Sequence, residues 1–126
     1  MKEGYSVKIY ACARETELTA KEKIRIKDFT SFPKVEELLK RDTPVKPVNM
    51  ITLDVHNDSS ENTDYIVYVI LTTDGVYYTS SGSLAESLTD ILGEYEQLET
   101  EGDWGVKIEE FKSKNNTGCF YKAVLV

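Results

Sequence analysis

Between Tyr5 and Cys12 hydrophobic and polar positions alternate, with Tyr5, Val7 and Ile9 set against Ser6, Lys8 and Tyr10, and this predicts a strand. The alternation resumes over Lys23 to Phe29, after the polar stretch Arg14 to Ala20, and predicts a second strand. Phe32-Pro33 ends it, because proline cannot donate to a ladder. Pro33 then opens a short helix over Lys34 to Arg41, with Val35, Leu38 and Leu39 on one face. Asn49 to His56 alternates again, Ile51, Leu53 and Val55 against Thr52, Asp54 and His56. A polar loop, Asn57 to Thr63, leads to an almost continuous β-branched and aromatic strand over Tyr65 to Thr73. Asp74-Gly75 reads as a two-residue type I′ hairpin turn, and Val76 to Ser80 as the returning strand.

Helical spacing follows. Ser83-Leu84-Ala85-Glu86 has the form of a capping box, and Leu84, Leu88, Ile91, Leu92 and Tyr95 make one apolar stripe. Gly102 and Gly105 flank the start of a strand over Trp104 to Phe111, with Trp104 as an anchor to the preceding helix. Lys114 to Gly118 turns the chain, and Cys119 to Val126 closes it as a strand. The chain is expected to form one mainly-β domain over 1–126. Residues 1–44 would be a strand and short-helix extension, and 45–126 a strand-strand-strand-helix-strand-strand core. That is the order of the OB fold, a five-stranded, partly closed barrel with one helix between its third and fourth strands.

Two blocks resemble small phage-encoded single-stranded DNA-binding proteins. The first is Thr72-Thr73-Asp74-Gly75-Val76-Tyr77-Tyr78-Thr79-Ser80-Ser81, running on through Ser83 to Leu92; the second is Val106 to Lys122. The resemblance covers the C-terminal half to two-thirds of the chain and matches the first 45 residues less well. It implies an OB-type domain that coats displaced single strands, with little sequence preference, during replication of a phage or mobile element in the host cytoplasm.

A single-strand binder needs cations that follow phosphates and rings on which bases stack. On a strand, Lys21, Lys23, Arg25 and Lys27 would project from one face, at a repeat of about 6.6 Å comparable to phosphate spacing. The row is either such a surface or an ordinary solvated face, partly neutralised by Glu22 and Asp28. In the closing hairpin, alternation puts Lys107, Phe111, Phe120 and Lys122 on one outer surface, with Lys112 and Lys114 at its tip. The alternative is a bulge that turns both phenylalanines inward. Across the Asp74-Gly75 turn, a two-residue register sets Leu71 opposite Tyr78 and Thr72 opposite Tyr77. Tyr68 and Tyr77 then lie away from the Val67, Val69, Leu71 and Tyr78 face, as stacking candidates or as tyrosines packed under a loop. Tyr10, beside Lys8, is a weaker candidate of the same kind.

The overall charge of −7 changes this picture only in part. Residues 1–48 carry 11 cations against 8 acids, and the rest of the chain 4 against 14. Binding follows the local patch rather than the total. The acidic surface of Asp90, Glu94, Glu96, Glu99, Glu101 and Asp103 supports an alternative: a protein-interaction module or DNA mimic without nucleic-acid affinity. It could also recruit replication proteins to a DNA binder.

His56 is the only histidine, and no Walker loop, GxGxxG, GxSxG or HExxH is present, so no enzyme, metal or cofactor is expected. Asp54, His56 and Asp58 have a spacing conceivable for a metal but supply too few ligands. Cys12 and Cys119 are expected to be buried hydrophobes. No apolar run approaches the roughly 20 residues of a membrane helix, and the first residues lack the apolar core of a signal peptide. A cytoplasmic protein is the expectation.

Overall fold

The computed structural model describes residues 4–41, 43–59, 61–112 and 118–126. The protein is mixed α/β, 41% strand and 31% helix, with a four-stranded antiparallel sheet and a separate two-stranded one. The larger sheet has the order β1 (Tyr5–Cys12), β2 (Pro47–Asn57), β3 (Asp64–Thr72), β4 (Val76–Thr79). The smaller is the hairpin β5 (Val106–Lys112) and β6 (Cys119–Leu125). Among the described residues no closed barrel is found. No helix among them is long and apolar enough to cross a membrane.

The main departure from the sequence pattern is at residues 20–27. They form an α-helix, α1 (Ala20–Lys27), where a strand was expected. Thr19 fixes its start with a capping box: the Glu22 amide donates to Thr19 Oγ1 at 3.1 Å, and the Thr19 amide to Glu22 Oε1 at 3.0 Å. The helix buries Ile26, and the turn just after it buries Phe29, while Ile24 turns outward and is 67% exposed. Burying a pair at i, i+3 outweighs the short alternation of Lys and Ile. A 3-10 turn (Phe29–Ser31) and a longer 3-10 helix (Val35–Lys40) follow, the latter burying Val35 and Leu38 as expected.

The sheet separates two cores because β2 and β3 are apolar on both sides. Ile51 pairs with Val69 and Leu53 with Val67, and these turn toward Ile26 and Phe29. Met50 pairs with Ile70, and this pair turns toward Val106, Ile108 and Ala123 of the hairpin. It meets there the inner face of α2 (Gly82–Gly93), formed by Leu84, Ala85, Leu88 and Leu92. A third helix, α3 (Tyr95–Glu101), continues from α2. The rings of Tyr95 and Trp104 meet edge to face at 5.7 Å, and this contact joins the approach to β5 to the start of α3. Arg14 lies 3.6 Å over the other aromatic system, the Tyr95 ring, and donates to the Val48 carbonyl at 2.6 Å.

Two local details also differ from expectation. The β3–β4 hairpin pairs Leu71 with Val76 and Ile70 with Tyr77, so the loop spans four residues rather than two. Thr72 Oγ1 accepts from the Asp74 and Gly75 amides and donates to the Gly75 carbonyl, and Gly75 does not adopt positive φ. The threonine hydroxyl thus organises the turn that a type I′ geometry was expected to supply. The shift of register is two residues, so the side of the sheet on which each tyrosine lies is unchanged. Helix α2 begins earlier than expected: Ser81, not Ser83, is the N-cap, accepting from the Leu84 amide at 3.3 Å.

Val45 and Val106 exchange backbone hydrogen bonds of 2.9 and 2.7 Å, joining the approach to β2 with the start of β5. Gly105 makes this approach possible, since a Cβ there would lie 3.0 Å from the Pro44 side chain and 3.2 Å from the Val45 carbonyl oxygen.

Candidate nucleic-acid interface

The closing hairpin presents the surface that alternation predicts. Phe111 pairs with Phe120, Glu109 with Lys122, and Lys107 with Val124, and directly opposed residues share a face of a ladder. The two phenylalanine rings stack at 5.7 Å with an interplanar angle of 22°, and each is 38% exposed. They are not turned inward. Lys122 is exposed and Lys107 half-buried on the same face, while Lys112 is exposed at the end of β5 opposite Cys119. Glu109, opposite Lys122, offsets part of this charge. Lys114 lies outside the described residues.

The start of β6 is held by α2. Ser83 Oγ donates to the Tyr121 carbonyl and Ser87 Oγ accepts from the Ala123 amide, both at 2.9 Å. These serines take the place of a neighbouring strand on that edge of the hairpin.

Beside Phe120 a cleft of about 500 Å³ opens between β4 and β6. Its rings are Phe29, Tyr65, Tyr78, Phe120 and Tyr121, and its hydroxyls include Ser80, Ser81 and Ser83. Phe29 and Tyr78 meet edge to face at 5.2 Å inside it. Lys34 and Glu36 bring one charge of each sign. Lys34 is placed there by a parallel bridge to Tyr78, with the Tyr78 amide donating to the Pro33 carbonyl. Burial raises the pKa of the Tyr121 phenol, helped by the carboxylates of Glu36 and Glu110, so the rim hydroxyl stays neutral and able to donate. Cys119 also borders the cleft and is exposed, not buried as expected.

The other sequence candidates lie elsewhere. Lys21, Lys23, Arg25 and Lys27 are all exposed, but on a helix they divide into two pairs, Lys21 with Arg25 and Lys23 with Lys27. Helix α1 packs on the side of the sheet opposite the hairpin, and none of its four cations lines the cleft. Tyr68 and Tyr77 are half-buried and pack against the core that also holds the inner face of α2. The Tyr77 hydroxyl is also engaged by Arg41 at 3.4 Å, whose guanidinium reaches Asp74 at 2.9 Å. Tyr10, the extra residue of a bulge opposite β2, is 75% exposed but away from the cleft.

Phe29, Lys34, Tyr65, Tyr78 and Tyr121 were not marked as site residues by the sequence. The cleft joins chain segments more than 80 residues apart, from Phe29 to Tyr121, and no local pattern signals that meeting.

His56 is paired with two carboxylates. Its ring contacts Asp58 and Asp64, both at 2.8 Å. Among the described residues no group of three or more His, Cys, Asp or Glu is arranged to hold an ion. No family model, curated protein or solved structure matches this chain.

Proposed function

We propose that the protein binds single-stranded DNA, with bases stacking on the Phe111–Phe120 pair and in the aromatic cleft between β4 and β6. The observation that carries this reading is the exposed, stacked phenylalanine pair beside a ring-lined cleft. Exposed rings are costly to leave in water, and every base offers a π-face to cover them. Phosphates would follow Lys34, Lys107, Lys112 and Lys122, and the first turn of α2 at Ser81 and Ser83 favours an anion by its dipole.

The same proposal includes an OB-type architecture. The elements β2, β3, β4, α2, β5 and β6 follow that order, and the Val45–Val106 bridge supports closure between the first and fourth of its strands. The cleft then occupies the gap between the third and fifth. Coating displaced strands during replication is the role such a site would serve. The basic row first expected at Lys21 to Lys27 is not part of it.

Titration of a labelled oligo-dT, followed by anisotropy at two salt concentrations, tests the proposal. Binding should weaken as salt rises. Phe120→Ala should reduce affinity roughly 5- to 150-fold, the loss of one stacked base, while Phe120→Trp retains it. Absence of binding at low salt would refute the proposal and favour an acidic interaction module, for which the acid-rich stretch Gly82 to Gly105 is the supporting feature.

A further inference from the structure

Helix α1 carries Lys21, Lys23, Arg25 and Lys27, all exposed, and none makes an ion pair among the described residues. Glu22, which could have neutralised them, is turned back to cap the helix at Thr19. Ile24 stands among these cations at 67% exposure. Among the described residues, this basic surface and its exposed isoleucine meet no acidic partner.

The complementary surface is on the other side of the molecule. From Gly82 to Gly105 the chain has seven acids and no Lys or Arg. Glu96 is paired with Arg14 and Glu99 with Lys46. Glu86, Asp90, Glu94, Glu101 and Asp103 are exposed and make no ion pair among the described residues. Glu86 and Asp90 on α2 are four residues apart, about 6 Å along the helix, and Glu94 follows at its C-cap. Lys21 and Arg25, and Lys23 and Lys27, have that same interval. Two helices side by side could therefore match charge to charge.

Because α1 and α2 lie against opposite faces of the sheet, one molecule cannot bring them together. We infer that α1 of one copy docks on the acidic α2–α3 surface of a second copy, giving a head-to-tail association. A contact between two different patches is heterologous, and unless the rotation closes it extends as a chain of molecules. An eight-residue helix covers far less than the roughly 800 Å² per partner of a standard interface, so the contact is weak and salt-labile by itself. The inference does not depend on DNA binding and is tested without DNA.

Sedimentation of the full chain over a concentration series, at about 10 mM and about 1 M salt, reads it directly, the screening length falling from about 30 Å to about 3 Å. The wild type should show a mass that rises with concentration at low salt and is monomeric at high salt. Lys21→Glu with Arg25→Glu, and separately Asp90→Lys with Glu94→Lys, should each be monomeric at low salt. An equimolar mixture of these two variants should associate again, which a folding defect could not produce. A wild type that is monomeric at low salt throughout the series would overturn the inference. So would variants that associate as the wild type does, or a mixture that stays monomeric.

Discussion

Ser87 offers a sharp test of how the hairpin is held. Its hydroxyl accepts from the Ala123 amide at 2.9 Å and donates to the Leu84 carbonyl at the same distance, so Ser87→Ala removes the only described partner of a backbone N–H. Ala123 is buried at 4% exposure, so water does not readily replace that partner. A buried donor left without an acceptor costs about 1–3 kcal/mol. Alanine is the better helix former and returns a few tenths of a kcal/mol within α2. The net loss should be about 1–2 kcal/mol, or roughly 3–8 °C in melting temperature for a chain of this size. Ser83→Ala is the comparison, because Ser83 serves a carbonyl at a more exposed place and its removal should cost under about 1 kcal/mol. Urea unfolding gives the stability, and amide exchange reports the Ala123 proton itself, which should lose protection selectively in Ser87→Ala. A stability within about 0.5 kcal/mol of wild type, with Ala123 protection unchanged, would refute the account of α2 as the edge partner of β6.

Removal of the α1 cap by Thr19→Ala should cost about 1 kcal/mol in chemical unfolding, with helical signal lost at residues 20–23 by NMR. The His56 pKa is raised, first by its hydrogen bond to Asp64 and also by Asp58. A raised folded-state value means the stabilisation is fully present below the unfolded pKa and lost as pH rises through the folded one. Stability measured across that window should fall in wild type and lose this component in Asp64→Asn. Cys119 is exposed whereas burial raises the Cys12 thiol, so a thiol reagent should modify Cys119 first, and a bulky adduct there should impair oligonucleotide binding at the adjoining cleft. Lys23→Glu with Lys27→Glu should leave binding of a short oligonucleotide within about threefold at physiological salt, where screening acts over about 8 Å.

Much of the strand pattern was legible because it depends on parity alone. Ile51, Leu53 and Val55 share a side whatever the register, and Phe111 falls on the outer face with Phe120 once Ile108 and Ala123 are turned to the core. Even the two-residue slip at the β3–β4 turn left Tyr77 and Tyr78 on their expected sides. The helix at residues 20–27 was also written in the chain, as Thr19-x-x-Glu22, but the short Lys-Ile-Arg-Ile alternation competes with it. Burial of Ile26 and Phe29 against β2 and β3 decides between the two, and that contact is long-range. For Tyr68 and Tyr77 the pattern left two readings open, and both side chains pack against the core. A strand apolar on one side suggests a free opposite side, yet Met50 and Ile70 show that this sheet is covered on both. The cleft was beyond reach, because its walls meet only in the folded chain.

The two-sided sheet has a consequence for where the chain could be cut. A fragment starting at Val45 would keep every strand of the OB-like order but would strip the cover from Ile51, Leu53, Val55, Val67 and Val69. Five fully desolvated aliphatic side chains would then face water, a loss on the order of 10 kcal/mol that rivals the entire stability of a small domain. The N-terminal segment therefore acts as the second half of the interior, and the smallest piece of this protein able to stand by itself reaches back to include α1 and the strand before it.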